Sequence, residues 1–111
     1  MPPPARKLRV SFVGAFDLAL RTLLLEVLEF EAAEPPQLVF AMVGPLDPFR
    51  VLRAARALGP SDVPIIAILS LADDQLARRA VLACARSCWP LDTSLELLRA
   101  QIAEAVAPDG R

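Results

Sequence analysis

The sequence contains no histidine and no tyrosine, and Lys7 is its only lysine. Without histidine there is no side chain that ordinarily titrates near neutral pH. That excludes imidazole acid–base catalysis, Ser–His and Cys–His nucleophile pairs and histidine metal ligation. Glycine occurs only at positions 14, 44, 59 and 110, so no glycine-rich loop exists to cradle a phosphate, and a lone Gly14 after an apolar run makes no dinucleotide site. Two cysteines, Cys84 and Cys88, are too few for a structural zinc site and lack the C-x-x-C spacing of a redox helix. Four residues apart, they could share a face of one helix; buried small apolar residues in a reducing compartment is the simpler reading. No apolar run approaches the ~20 residues of a bilayer span. The opening Met1-Pro2-Pro3-Pro4-Ala5-Arg6-Lys7 leads into no signal-peptide apolar region. Charge of one sign is missing too: 12 basic residues stand against 13 acidic ones, net −1, with a pI of about 5.3. That gives no general pull toward nucleic acid or a membrane surface. The expectation is a cytoplasmic chain with no metal and no cofactor.

What is present is apolar: 55% of the 111 residues are hydrophobic, enough for one domain with its own core. Residues 1–6 read as a disordered proline-rich tail, 7–107 as the domain and 108–111 as a second tail. Leu8 to Val13 reads as a strand ending at Gly14, and Asp17 to Glu31 as a helix. Pro35-Pro36 stops the helix. Leu38 to Val43 is an unbroken apolar run of strand length, the mark of a strand buried on both faces. Asp47-Pro48 opens a second helix that runs to Leu58 before Gly59-Pro60. Val63 to Leu69 is another buried strand, and Ser70-x-x-Asp73 starts a third helix reaching about Arg86. Cys88-Trp89 is a strand of minimal length, and Thr93-x-x-Glu96 boxes the start of a last helix that ends near Val106. Four β-α units in alternation imply a parallel sheet of about four strands with helices on both faces, three layers in all.

The first helix carries more apolar surface than one sheet face needs. Leu18, Leu20, Leu23, Leu24, Leu25, Val27, Leu28 and Phe30 wrap well over half of it, leaving Arg21, Thr22, Glu26 and Glu29 as a narrow polar stripe. The surplus is buried either against a neighbouring helix or in an interface, and Leu20, Leu24, Leu28 and Phe30 are the interface candidates.

Five segments, in order, resemble the receiver domain of bacterial response regulators. They are Leu8–Val13 with the helix after it, Pro36-Gln37-Leu38-Val39-Phe40, Pro45-Leu46-Asp47-Pro48-Phe49-Arg50-Val51-Leu52-Arg53, Asp62-Val63-Pro64-Ile65-Ile66-Ala67-Ile68-Leu69, and Pro90-Leu91-Asp92 followed by Leu97-Leu98. The resemblance covers most of residues 7–106 and implies a flavodoxin-like sheet. In that family the reaction needs an acid pair to hold Mg²⁺, a phosphate-accepting aspartate, a hydroxyl residue and a lysine. By the resemblance these map onto Val13 and Gly14, Met42, Leu69 and Trp89, and none has the required group. Asp17 and Asp47 lie near the strand ends but suit helix caps. The family also has a further strand and helix after its first helix. Here only Ala32-Ala33-Glu34-Pro35 separates the first helix from the next strand, so the whole unit is expected to be deleted. The sheet order would be 1-3-4-5, with the first strand a bare edge open to pairing.

Trp89 reads either as a ring half-buried over the sheet end or as an interface anchor, a role in which tryptophan is enriched. Arg50, Arg53 and Arg56 recur along the second helix and Arg78, Arg79 and Arg86 along the third. They are solvated faces, or a surface for an acidic protein rather than for nucleic acid. The arginine-rich composition suggests a bacterial source. The reading is a pseudo-receiver: a non-catalytic, phosphorylation-independent scaffold or adaptor in bacterial signalling or cell organisation, homodimeric through its first helix and edge strand. Two alternatives stand beside it. One is a module similar to the anti-sigma-factor-antagonist (STAS) family, whose helix entry Val13-Gly14-Ala15-Phe16-Asp17 resembles, and whose sheet is mixed. The other is a receiver that accepts phosphate on a shifted acid such as Asp47.

Overall fold

The structure is a computed structural model and describes residues 8–33, 35–44, 48–58, 62–70 and 73–106. Its strands are β1 (Leu8–Val13), β2 (Phe30–Ala32), β3 (Leu38–Val43), β4 (Ile65–Leu69) and β5 (Ser87–Pro90), and its helices α1 (Leu18–Val27), α2 (Pro48–Arg56), α3 (Asp74–Ala83) and α4 (Leu95–Val106). All strand pairings are parallel and the sheet order is β2-β1-β3-β4-β5. None of the helices is long and apolar enough to cross a membrane. The expected tails, the Asp47 cap and the Gly59-Pro60 stop lie outside the described residues.

Strand alternation sorts the core into two layers. Val39, Ala41, Val43, Ile65, Ala67 and Leu69 face α2 and α3, where they meet Leu52, Ala55, Leu76 and Ala80. Val10, Leu38, Phe40, Ile66, Ile68 and Trp89 face α1 and α4 and meet Leu24, Leu98 and Ile102. Fully burying one such Leu, Ile or Phe side chain is worth roughly 1.5–3 kcal/mol. β3 and β4 are apolar throughout because both their faces are covered.

The expected four-stranded sheet is corrected to five strands. The first helix does not run to Glu31: it stops at Val27, and Glu29 takes the left-handed conformation with φ 56°. That turn releases Phe30–Ala32 to pair with Leu8–Val10 as β2. β1 is therefore covered along half its length and is not the bare edge expected; only its Ser11–Val13 stretch extends past β2. The strand of the supposedly deleted unit is present, and no helix follows it among the described residues. Register explains how residues 33–37 suffice to reach β3. Val10 is level with Ala32 on one side and with Leu38 on the other, so the chain only crosses β1, about 10 Å, without returning along a strand. Arg9 pins the crossing. Its Nε donates to the Pro35 carbonyl at 2.8 Å, its N–H donates to Gln37 Oε1 at 3.1 Å, and its carbonyl accepts the Gln37 N–H at 2.8 Å.

Caps set the other boundaries. Asp17 accepts the Ala19 N–H at 2.7 Å, and Asp73 accepts those of Gln75 and Leu76 at 3.0 and 3.1 Å, so Asp73 rather than Ser70 caps α3. α3 ends at Ala83, not Arg86, because Cys84 is extended with φ 167°. Ser94, not Thr93, caps α4: its Oγ accepts the Leu97 N–H at 3.2 Å, while Thr93 Oγ1 donates to the Pro90 carbonyl at 2.6 Å. At the other sheet edge Gln101 closes β5, donating from Nε2 to the Cys88 carbonyl at 2.9 Å and accepting from Ser87 Oγ at 3.2 Å.

Candidate functional site

In a parallel sheet, ligand chemistry gathers at the carboxyl ends of the strands. Here those ends carry Val13-Gly14, Met42-Val43, Leu69-Ser70 and Trp89-Pro90. Register sets Met42, Ile68 and Trp89 side by side, and Val43 beside Leu69 and Pro90. The side chains do not converge. Met42 and Trp89 pack toward α1 and α4, while Val13 and Leu69 pack toward α2 and α3. Gly14 lies so close to β3 that a Cβ there would sit 2.8 Å from the Met42 carbonyl oxygen. Its φ of 99° turns the chain into α1, and its carbonyl accepts the Phe16 N–H at 2.9 Å. Asp17 beyond it is occupied as the α1 cap. Among the described residues, no three acids or cysteines are grouped to hold a metal ion. Asp47 lies outside the described residues.

Trp89 is not a surface anchor. It is 3% exposed and its Nε1–H donates to the Ser94 carbonyl at 3.0 Å, fixing the start of α4. The first-helix candidates are likewise core. Leu24 is fully buried, and Leu20, Leu28 and Phe30 are half-buried against it, with the Phe30 ring 6.0 Å from that of Phe40. The large apolar residues of α1 that do face solvent are Leu18, 77% exposed, Leu23 and Val27. Helical phase could have separated them, since Leu20, Leu24 and Leu28 repeat at four-residue intervals and Leu18 and Leu23 fall outside that row.

The two cysteines do not share a helix face. Cys84 ends α3 and its Sγ lies 3.8 Å from the Leu52 carbonyl; Cys88 is on β5 with Sγ 3.4 Å from the Ala77 carbonyl. Both are free and partly buried, and burial pushes the Cys88 thiol pKa up.

The remaining candidate surfaces are the two helical layers, and they differ in charge. α2 carries Arg50, Arg53 and Arg56 and no acid. α3 adds exposed Arg78 and Arg79, with Leu82 beside them at 80% exposure. Across the sheet, α1 and α4 expose Glu26, Glu96 and Glu104. Arginines on both sides make contacts within the fold: Arg56 donates to the Val63 carbonyl at 2.9 Å, Arg21 lies over the Phe12 ring, 5.1 Å from its centroid, and Arg99 donates to the Val27 carbonyl at 3.3 Å.

The fold is that of receiver domains. A two-component response regulator from Clostridium difficile superposes with a TM-score of 0.70 at 16% identity, over 91% of this chain and 96% of that one. A response regulator from Thermotoga maritima gives 0.70 at 15% identity, over 93% and 100%. NtrX from Brucella abortus, in a structure with ADP, gives 0.74 at 16% identity over 91% of this chain, which spans 27% of NtrX. No protein-family model and no curated protein matches the sequence. The chain thus has a flavodoxin-like, receiver-like fold, with a strand order corrected from the expected one. Its all-parallel sheet does not fit the mixed sheet of the STAS alternative.

Proposed function

We propose that this chain is a degenerate receiver domain that works by docking to proteins, without accepting a phosphoryl group. The observation that carries the reading is the set of side chains at the strand ends. Val13, Gly14, Met42, Leu69 and Trp89 offer no carboxylate, hydroxyl or amine, and Leu69 and Trp89 are built into the core, where they could not be exchanged for a reacting group without repacking. A scaffold or adaptor role in bacterial two-component signalling or cell organisation, in the cytoplasm, follows from that loss on a retained fold. It needs neither cofactor nor metal. Its partners are proteins. The arginines of α2 and α3 suit an acidic protein surface, and a second copy of the chain is the other partner, as a homodimer or a larger assembly.

The test is exposure of the purified chain to acetyl phosphate and Mg²⁺, read by intact mass. No mass gain is expected. A phosphoryl adduct, above all one that Asp47→Asn abolishes, would sink the proposal in favour of a receiver with a shifted acceptor.

A further inference from the structure

We infer that copies of this chain stack face to back, the α2–α3 layer of one against the α1–α4 layer of the next. The inference rests on the protein-docking reading and names its partner: a second copy of the chain.

Charge complementarity is the first support. Two positions along an α-helix is about 200° round its axis. On the α1–α4 layer, Glu26 stands two positions from buried Leu24, Glu96 two from Leu98 and Glu104 two from Ile102, so all three carboxylates project outward. On the α2–α3 layer, Arg53 stands two from buried Ala55 and Arg78 two from both Leu76 and Ala80, and these guanidinium groups project outward on the opposite side of the molecule. Asp74, in the first turn of α3, sits at the amino end of that helix beside Asp73, which caps it. Two α2–α3 faces brought together would oppose arginines, and two α1–α4 faces, where exposed Glu26, Glu96 and Glu104 outnumber exposed Arg21 and Arg99, would oppose an excess of acid. Only the unlike faces attract.

Each face also exposes apolar side chains. Leu82 and Phe49 stand exposed among the arginines, and Leu18, Leu23 and Leu97 among the glutamates. Exposed apolar side chains mixed with charged ones are a usual composition of a protein contact. Assembly through the sheet edges is disfavoured, because Gln101 occupies the Cys88 carbonyl on β5 and the opposite edge strand, β2, is only three residues long. Because the two faces lie on opposite sides of one sheet, each contact leaves the opposite face of both copies free. The contact is heterologous, and it extends rather than stopping at a dimer.

The experiment is light scattering of the full chain on a sizing column, across a range of concentrations, at about 50 mM and about 500 mM salt, conditions between which screening of exposed charge rises steeply. At low salt the mass is expected to climb with concentration beyond two copies of the 12.0 kDa chain, and at high salt to fall toward one. Arg53→Glu with Arg78→Glu, and separately Glu26→Lys with Glu96→Lys, should each give a monomer with unchanged circular dichroism. Mixing the two variants should restore association, because the untouched α1–α4 face of the first meets the untouched α2–α3 face of the second. A wild-type monomer at every concentration, a dimer that grows no further, or variants that associate like the wild type would overturn the stack. A wild-type monomer that binds a polyglutamate peptide, with binding lost in Arg53→Glu/Arg78→Glu, would overturn stacking and leave the docking reading standing. A monomer that instead takes up phosphate from acetyl phosphate would overturn both.

Discussion

Replacing Trp89 by Phe separates a core role for this residue from an interface role. The indole is 3% exposed and lies in the α1–α4 side of the core with Phe40, Ile68 and Leu98, and its N–H donates to Ser94 O at 3.0 Å. Phe keeps an aromatic ring but removes one ring's worth of buried surface and the donor. The lost burial and the small cavity cost about 1–2 kcal/mol. Losing the indole hydrogen bond to the Ser94 carbonyl, which still accepts the Leu98 N–H at 3.4 Å, costs about 1 kcal/mol more. The expected total is about 2–3 kcal/mol, and for a domain of about a hundred residues each kcal/mol moves the melting temperature by roughly 4 °C. The variant should therefore melt about 8–12 °C below the wild type when followed by far-ultraviolet circular dichroism. Trp89 is the only tryptophan, so the wild type also offers a direct check: its fluorescence should resist acrylamide until the chain unfolds. A melting shift below about 3 °C, or emission quenched as readily as free indole, would refute the burial argument and return Trp89 to the surface.

Gly14→Ala should destabilise by about 2–3 kcal/mol in urea unfolding, combining the strain of a left-handed non-glycine residue with the clash. The φ is 99°, and the new Cβ would meet the Met42 carbonyl oxygen at 2.8 Å and the Met42 Cβ at 3.2 Å. Because the closest atom is backbone, Met42→Ala should not rescue it, and a double variant as stable as Met42→Ala alone would contradict the geometry. Burial raises the Cys88 pKa above the ordinary thiol value of 9.0. The unfolded thiol therefore loses its proton first, so the contribution of Cys88 to stability is intact below about pH 9 and is lost as pH rises through the higher folded value. Melting temperatures measured from pH 7 to 10.5 should fall more steeply at the alkaline end for the wild type than for Cys88→Ala, and parallel curves would count against it.

The order of strands and helices was legible in the chain because it is written in short-range terms. The runs Leu38–Val43 and Ile65–Leu69 are apolar at every position, which only a strand covered on both faces requires, and aspartates mark the starts of α1 and α3. The side-chain types at the strand ends were equally legible, since Val13, Met42 and Leu69 carry no carboxylate, hydroxyl or amine. β2 was not legible. Phe30-Glu31-Ala32 is too short to carry a period, and it becomes a strand only because Glu29 turns the chain beside Leu8–Val10. Nor could composition decide which apolar residues of α1 serve the core. Leu24 is fully buried and Leu18 is 77% exposed, although both are leucines on one helix. That difference is set by the direction in which the helix lies on the sheet. The division of charge between the layers has the same origin. A net charge near zero hides a basic face and an acidic one, and the crossings that send α2 and α3 to one side of the sheet and α1 and α4 to the other are what separate them. Residue types and local spacing determined the elements and the kinds of side chain at the strand ends. Only the packing of those elements through contacts distant in sequence decided which side chains face water, and therefore which surfaces can meet a partner.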